Sequence, residues 1–188
     1  MRYREPQPGL ITLPLLEVEE AVEMLDDLKA NTDWQPAKIS SQKRKNRESK
    51  AVRSAMAAAL APSSPHAELF DARIRSIVRP LIYNRWNHDI LRHTNVQLVR
   101  YVPGDFFVAH RDNGSDFNER YYTVVCYLNA DFEGGGTYFP DSDYTVQPET
   151  GKAVIFPSDY LHRANEILAG EKYIAVIWML DAPPVDWI

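Results

Sequence analysis

His110-Arg111-Asp112 sets an imidazole and a carboxylate two residues apart. In an extended strand that spacing points both side chains to one face, where they converge. His162 follows in Pro157-Ser158-Asp159-Tyr160-Leu161-His162-Arg163, just after the apolar run 153–156. A neighbouring strand could bring it to the same point. Two histidines and one carboxylate on one triangular face leave the opposite coordination positions open. Non-heme iron(II) uses that geometry to bind a chelating co-substrate and oxygen. Each piece is weak singly: His-x-Asp also serves as a surface pair or a capped turn, and a loop histidine is more often hydrogen-bonded than metal-bound. His66, His88 and His93 are read in that ordinary way.

Lys172 opens the apolar run Tyr173-Ile174-Ala175-Val176-Ile177-Trp178-Met179-Leu180. A lysine entering such a strand is rarely buried without a partner. By alternation Lys172, Ile174, Val176 and Trp178 share a face. If that face looks inward, a dicarboxylate could chelate a metal at one end and pair with Lys172 at the other. The alternative is a lysine that snorkels outward from the strand end. Thr123, Val125 and Tyr127 share a face of another strand, which sends Cys126 to the opposite face, towards packing helices. Tyr101 lies on the strand before His-x-Asp. Tyrosines on strands are usually packing residues, so these hydroxyls are candidates by position only.

The elements that must carry these groups change character near residue 95. Before it, Val18, Ala21, Val22, Leu25 and Leu28 recur at helical spacing. Residues 49–60 read as an Ala-rich helix stopped by Pro62. Ser64-Pro65 begins another, with Leu69, Phe70, Ile74, Ile77 and Val78 on its apolar face and Pro80 kinking or splitting it. After it, strands are expected over 96–102, 106–110, 121–129, 144–147, 152–156 and 173–180, separated by Gly, Pro, Asn and Asp clusters. Close-spaced strands without intervening helices point to an antiparallel sandwich or jelly roll, with the helices covering one face. The 188 residues suit one domain. Within it, 1–95 are expected to be mostly helical support with a substrate flap, and 96–181 the β core.

A formal net charge of -5 argues against a dedicated nucleic-acid binder. The basic run Lys43, Arg44, Lys45, Arg47, Lys50 and Arg53 reads first as a solvated loop and helix start. Its sharper reading is a mobile flap that meets an anionic substrate. One cysteine excludes an internal disulfide. With no signal-peptide pattern or bilayer-length apolar run, the expectation is a cytoplasmic protein without a membrane partner.

Taken in order, these motifs resemble the catalytic core of prolyl 4-hydroxylase-type 2-oxoglutarate/iron(II) dioxygenases. The likeness covers 96–180. It runs through Arg100-Tyr101-Val102-Pro103-Gly104-Asp105 to His110-Arg111-Asp112, then Arg120-Tyr121-Tyr122-Thr123 and Tyr127-Leu128-Asn129. It continues through Glu133-Gly134-Gly135-Gly136-Thr137-Tyr138-Phe139-Pro140 and Gly151-Lys152-Ala153-Val154-Ile155-Phe156 to His162 and Lys172. The resemblance implies a mainly β protein with supporting N-terminal helices, built on a double-stranded β-helix of jelly-roll, cupin-like form. It implies that His110, Asp112 and His162 bind Fe(II), and that Lys172, Tyr101, Thr123 and Tyr127 meet 2-oxoglutarate. Arg120 and Trp178 match positions near substrate and iron. O2 is the oxidant, and ascorbate a reductant.

The implied function is hydroxylation of an unactivated C–H bond with release of succinate and CO2. The partner is a peptide or small-molecule substrate: a peptidyl proline, an amino acid or another metabolite. Asp112 fills the place that halogenases of this fold leave small, which favours hydroxylation. Two rivals stand beside this: a cupin-like metalloenzyme that does not use 2-oxoglutarate, and a non-catalytic binding or sensing module. Lys172 has no evident job in the first, and the complete ligand set has none in the second.

Overall fold

The computed structural model describes residues 3–41, 44–47, 50–114, 117 and 119–181, with only the backbone of 39–41 and 44–47. Two antiparallel sheets face each other. The larger runs in the spatial order Arg4–Gln7, Leu10–Pro14, Lys152–Pro157, Arg120–Tyr127, Lys172–Leu180, Gln97–Tyr101, Met56–Ala59, Gln35–Pro36, with Arg92–His93 also paired to Lys172–Leu180. The smaller runs Tyr144–Val146, Thr137–Phe139, His162–Ala164, Phe106–His110, Arg53–Ser54. The strand spacing and turn clusters led us to expect an antiparallel sandwich or jelly roll, and the two sheets take the double-stranded β-helix form that the resemblance implies.

Alternation divides the larger sheet's side chains between two cores. Val124, Cys126, Ile155, Ala175, Ile177 and Met179 pack against helix residues Met24, Leu25, Leu28, Phe70, Ile74 and Val78. Val125, Tyr127, Val154, Phe156, Ile174 and Val176 meet Phe139 and Val146 of the smaller sheet. Cys126 is fully buried on the helix side, where desolvation pushes its thiol pKa up.

The first helix, Val18–Asn31, starts at a capping box in which Glu17 and Glu20 each satisfy the other's backbone end. Its buried face is Ala21, Met24, Leu25 and Leu28. Val18 and Val22, expected inside, are 53% and 48% exposed. Met24 takes the place they were assigned, because the i, i+3, i+4, i+7 stripe starts at Ala21. Ser64 caps the next helix by accepting from the Ala67 N–H, with Pro65 in the first turn. Pro80 does not break the helical run. A π-turn, Ile74–Val78, precedes it, and the Arg79 N–H reaches back to the Ile74 carbonyl. The wider turn accommodates the proline, which has no N–H to give and whose ring would crowd the preceding turn.

Residues 49–60 are not the expected helix; residue 49 lies outside the described residues. Arg53–Ser54 pairs with Phe106 and Phe107, and Met56–Ala59 pairs with Gln97–Arg100. Alanine's helix preference is worth only tenths of a kcal/mol per residue over most neighbours, and two waiting strand edges outweigh it. With Arg4–Gln7, Leu10–Pro14 and Gln35–Pro36, these strands correct the picture of 1–95 as mostly helical. The first half supplies strands at both edges of the larger sheet. In the basic run, Lys43 lies outside the described residues, and Arg44–Arg47 pairs with Ile39–Ser41 as a hairpin. Among the described residues no helix is long and apolar enough to cross a membrane.

Phe70 is wholly buried between the helices and the larger sheet. Phe70→Ala should lower unfolding stability by about 3–5 kcal/mol, measured by urea denaturation. A cost near zero would mean that this layer is not packed as described.

Candidate active site

The register of the smaller sheet brings the two histidines together: His110 and His162 are direct cross-strand partners. A bulge lies just before, because Phe107 pairs with Ala164 and three residues on one strand span two on the other. The bulge turns Phe107 and His110 to the same side, where their rings stack at 3.6 Å. Such irregularities re-aim side chains beside functional sites. The strand ends at His110. Asp112 is therefore not placed by strand alternation, as its spacing suggested. Its N–H donates to the Ser158 carbonyl at 2.8 Å, which ties the turn to the end of Lys152–Pro157.

The ligand-type atoms of His110, Asp112 and His162 all lie within 4.8 Å of one another. His110 Nε2 is 3.4 Å from Asp112 Oδ1, and His162 Nε2 is 3.5 Å from Asp112 Oδ2. Both other ring nitrogens are held by carbonyls two residues back: His110 Nδ1 by Val108 at 2.8 Å, His162 Nδ1 by Tyr160 at 3.0 Å. A proton on each Nδ1 leaves both Nε2 lone pairs facing the carboxylate, as a metal requires. Burial is the largest influence on His162 and lowers its pKa, favouring the neutral ring. Burial alone would raise Asp112, but His162, His110 and Thr123 together hold it well below the usual carboxylate range.

Thr123 supports this cluster and does not line the cavity. Its hydroxyl donates to Asp112 Oδ2 at 2.8 Å and meets Ser158 Oγ at 2.9 Å. With the one threonine proton committed to the carboxylate, Ser158 must donate to Thr123. Tyr127 is also displaced from its expected role. Its hydroxyl is bonded to Thr137 Oγ1 at 2.6 Å, beneath the cavity, and burial pushes its pKa up to about 12.

The cavity has a volume of about 60 Å³ and reaches from His110, Asp112 and His162 to Tyr101 and Lys172. Lys172, 1% exposed, is the direct cross-strand partner of Tyr101. Its ammonium donates to the Gly135 carbonyl and lies 5.0 and 5.5 Å from the centres of the Tyr101 and Tyr127 rings. Gly135 has φ +65°, and a Cβ there would collide with Ile167 and Phe132 and press on Lys172. The glycine turn thus lets a backbone carbonyl reach the amine. No described carboxylate pairs with Lys172, so the amine retains donors for an anion at that end of the cavity. A buried carboxylate flanked by two Nε2 atoms and a buried, unpaired amine fit a divalent metal and a dicarboxylate.

Trp178 lines the cavity directly across from Thr123 on the paired strand. Arg120 lies outside it, stacked on Trp178 at 3.7 Å and on Phe117 at 3.8 Å. Sequence reasoning did not assign Gln97, Phe107, Thr137 and Ser158 to the site, and it raised Arg53 only as part of a basic flap that meets an anionic substrate. Parity with Tyr101 could have found Gln97, and the Gly-Gly-x-Thr turn could have found Thr137. Nothing local signals Ser158, which acts through a carbonyl and a hydroxyl brought in by the fold.

Residues 96–180 match the family model of the 2OG-Fe(II) oxygenase superfamily. That segment is a 2OG-Fe(II) oxygenase domain. Among relatives, a putative prolyl 4-hydroxylase of Acanthamoeba polyphaga mimivirus is 28% identical over 59% of this chain and 56% of its own. Prolyl 4-hydroxylase 1 of Arabidopsis thaliana is 38% identical over 45% of this chain and 40% of its own. Over this segment the chain is similar to prolyl 4-hydroxylases, and it spans about half the length of the curated relatives it matches. A prolyl-4-hydroxylase structure from Pseudomonas putida superposes with a TM-score of 0.77 at 17% identity, covering 93% of this chain and 94% of that one. At that identity the likeness supports the fold. Fe(II) and 2-oxoglutarate are the cofactors of the superfamily, and the donor set here suits both.

Two measurements check the site. Thr123→Val removes the Asp112 donor at nearly constant volume and should weaken iron(II) binding about 10- to 100-fold, by competition with a chelating dye. Unchanged affinity would show that this hydrogen bond does not orient the carboxylate. The second is pH. Burial pulls the Lys172 pKa from 10.5 down to about 7. Between those values the unfolded chain holds a proton that the ligand-free fold does not, so stability rises with pH. A dicarboxylate needs the charged amine. Its affinity should fall about tenfold per pH unit above neutrality, with proton uptake visible by calorimetry in buffers of different ionisation enthalpy. Affinity flat from pH 6 to 9 would remove Lys172 from the contact.

Proposed function

We propose that this oxygenase is an Fe(II)- and 2-oxoglutarate-dependent hydroxylase acting on an unactivated C–H bond of a peptidyl proline, an amino acid or a small metabolite. The observation that carries the reading is the buried Lys172, without a carboxylate partner among the described residues, in the same cavity as the His110, Asp112 and His162 cluster. A metal site alone would suit a cupin-like enzyme without 2-oxoglutarate. The amine asks in addition for a carboxylate at a fixed distance. When bound, iron(II) and 2-oxoglutarate supply the oxidising power, one oxygen atom of O2 going to substrate and one to succinate, with loss of CO2.

The chain's own residues hold, orient and enclose. His110, Asp112 and His162 would hold the metal. Thr123 and Ser158 fix the Asp112 carboxylate. Lys172, against the Tyr101 and Tyr127 rings, would take the distal carboxylate of 2-oxoglutarate. Val125, Ile174 and Val176 make an apolar wall that keeps water from the reacting carbon. Trp178 and Arg120 flank the substrate side. We read 1–188 as one oxygenase unit, supported by the first-half strands that join both sheets.

The test is anaerobic titration of iron(II)-loaded protein with 2-oxoglutarate, followed by the charge-transfer absorption of the chelate. Wild type should develop the band. Lys172→Met should bind iron normally and need at least about tenfold more 2-oxoglutarate, consistent with loss of a charged hydrogen bond. Asp112→Ala should lose the band and substrate-triggered succinate. A wild-type protein that binds iron and shows no band would favour the cupin-like reading.

A further inference from the structure

The cavity contains a cation that the chemistry above does not use. Arg53 lies at its mouth, on the short strand paired with Phe106–His110, directly opposite Phe107. Its guanidinium sits 4.8 Å from the Phe107 ring, which stacks on His110. Two ring contacts therefore connect Arg53 to the metal cluster, and its guanidinium also donates to the Tyr101 hydroxyl, a neutral partner that leaves its charge unbalanced. Its one hydrogen bond to a described carbonyl is a long one, 3.5 Å to Lys38.

Two buried N–H groups without an acceptor belong to residues lining this cavity: Arg53 Nε and Trp178 Nε1. Arg73, Arg79 and Arg100 also bury an unpaired Nε, but each guanidinium reaches a carboxylate, of Glu20, Asp89 and Glu171 respectively. Among the described residues none lies within ion-pair distance of Arg53. A buried donor without an acceptor costs about 1–3 kcal/mol, so two on the walls of one cavity mark the place of a ligand acceptor. Charge points the same way. Two positive charges on the metal and one on Lys172 balance Asp112 and the two carboxylates of 2-oxoglutarate. No carboxylate among the described residues balances the charge on Arg53, and a substrate carboxylate would balance it.

We propose that Arg53 and the Trp178 indole form a carboxylate-binding subsite at the cavity mouth, so that the substrate is an amino acid with a free α-carboxylate, alone or at a chain end. This rests on the oxygenase reading above and selects among its substrate classes. An internal peptide residue offers only a neutral amide there and would leave the guanidinium unpaired. Arg53 is the last member of the basic run 43–53. The subsite gives that residue a role inside the cavity, whatever the rest of the run does.

The test uses iron(II)-loaded protein under nitrogen, first titrated with 2-oxoglutarate to confirm the ternary site. Calorimetry then compares N-acetyl L-amino acids with their C-terminal amides, pair by pair across the side chains. In every pair that binds, the acid should be favoured by about tenfold or more, the scale of a charged hydrogen bond. Arg53→Gln should remove most of that preference with unchanged 2-oxoglutarate affinity. Arg53→Lys should retain part of it, and Trp178→Phe should reduce it. Amides that bind as well as acids, or no binding by any pair, would overturn the subsite while leaving the oxygenase reading intact. Weaker 2-oxoglutarate binding in Arg53→Gln would assign Arg53 to the co-substrate and overturn it too. Failure of wild type to bind 2-oxoglutarate would bring down both.

Discussion

The pairing of Arg120–Tyr127 with Lys172–Leu180 is the constraint on which the rest depends. Both strands are buried on two faces, and their register assigns every side chain to one core or the other. One face carries Val124, Cys126, Ile177 and Met179 to the helices. The other carries Thr123, Tyr127, Lys172 and Trp178 to the site. A slip of one residue would exchange the two sets. It would put Lys172 among the helices and Cys126 in the cavity. The apolar demand of the helix layer therefore sets the functional geometry on the opposite face.

The site also shows how polar groups survive burial. Asp112 lies between two imidazoles and accepts from the Thr123 hydroxyl, which in turn accepts from Ser158. Lys172 is treated oppositely. It has one backbone carbonyl and two aromatic faces, and its proton is held only weakly. The fold stabilises the anion in advance and leaves the cation unsatisfied. This asymmetry suits a site that receives a metal at one end and an anion at the other.

Much of the site was legible in the sequence because alternation in a strand is local. Lys172 with Ile174, Val176 and Trp178, and Cys126 away from Tyr127, follow from parity and hold in the structure. Alternation failed where the chain leaves regular geometry. The bulge between Phe107 and His110 and the end of the strand before Asp112 mean that the His-x-Asp spacing meets at one point for a different reason than alternation. Thr123 and Tyr127 face inward as parity requires, but their hydroxyls are claimed by Asp112 and Thr137. Facing a cavity and lining it are different properties, and only packing distinguishes them.

By itself the sequence determined the class of fold, a set of candidate metal ligands and the face that Lys172 shares with Ile174, Val176 and Trp178. These depend on residue type, period and order. Tertiary structure alone decided that residues 53–59 are strands, that Met24 and not Val18 faces the core, and that Ser158 and Arg53 belong to the site. In each case the deciding partner lies far along the chain. The strands at 53–59 answer to edges at 97–107, and Ser158 is tied to Asp112 and Thr123. Such partners meet only after the two sheets close, because long-range contacts are set by burial and register and local preference is too weak to oppose them.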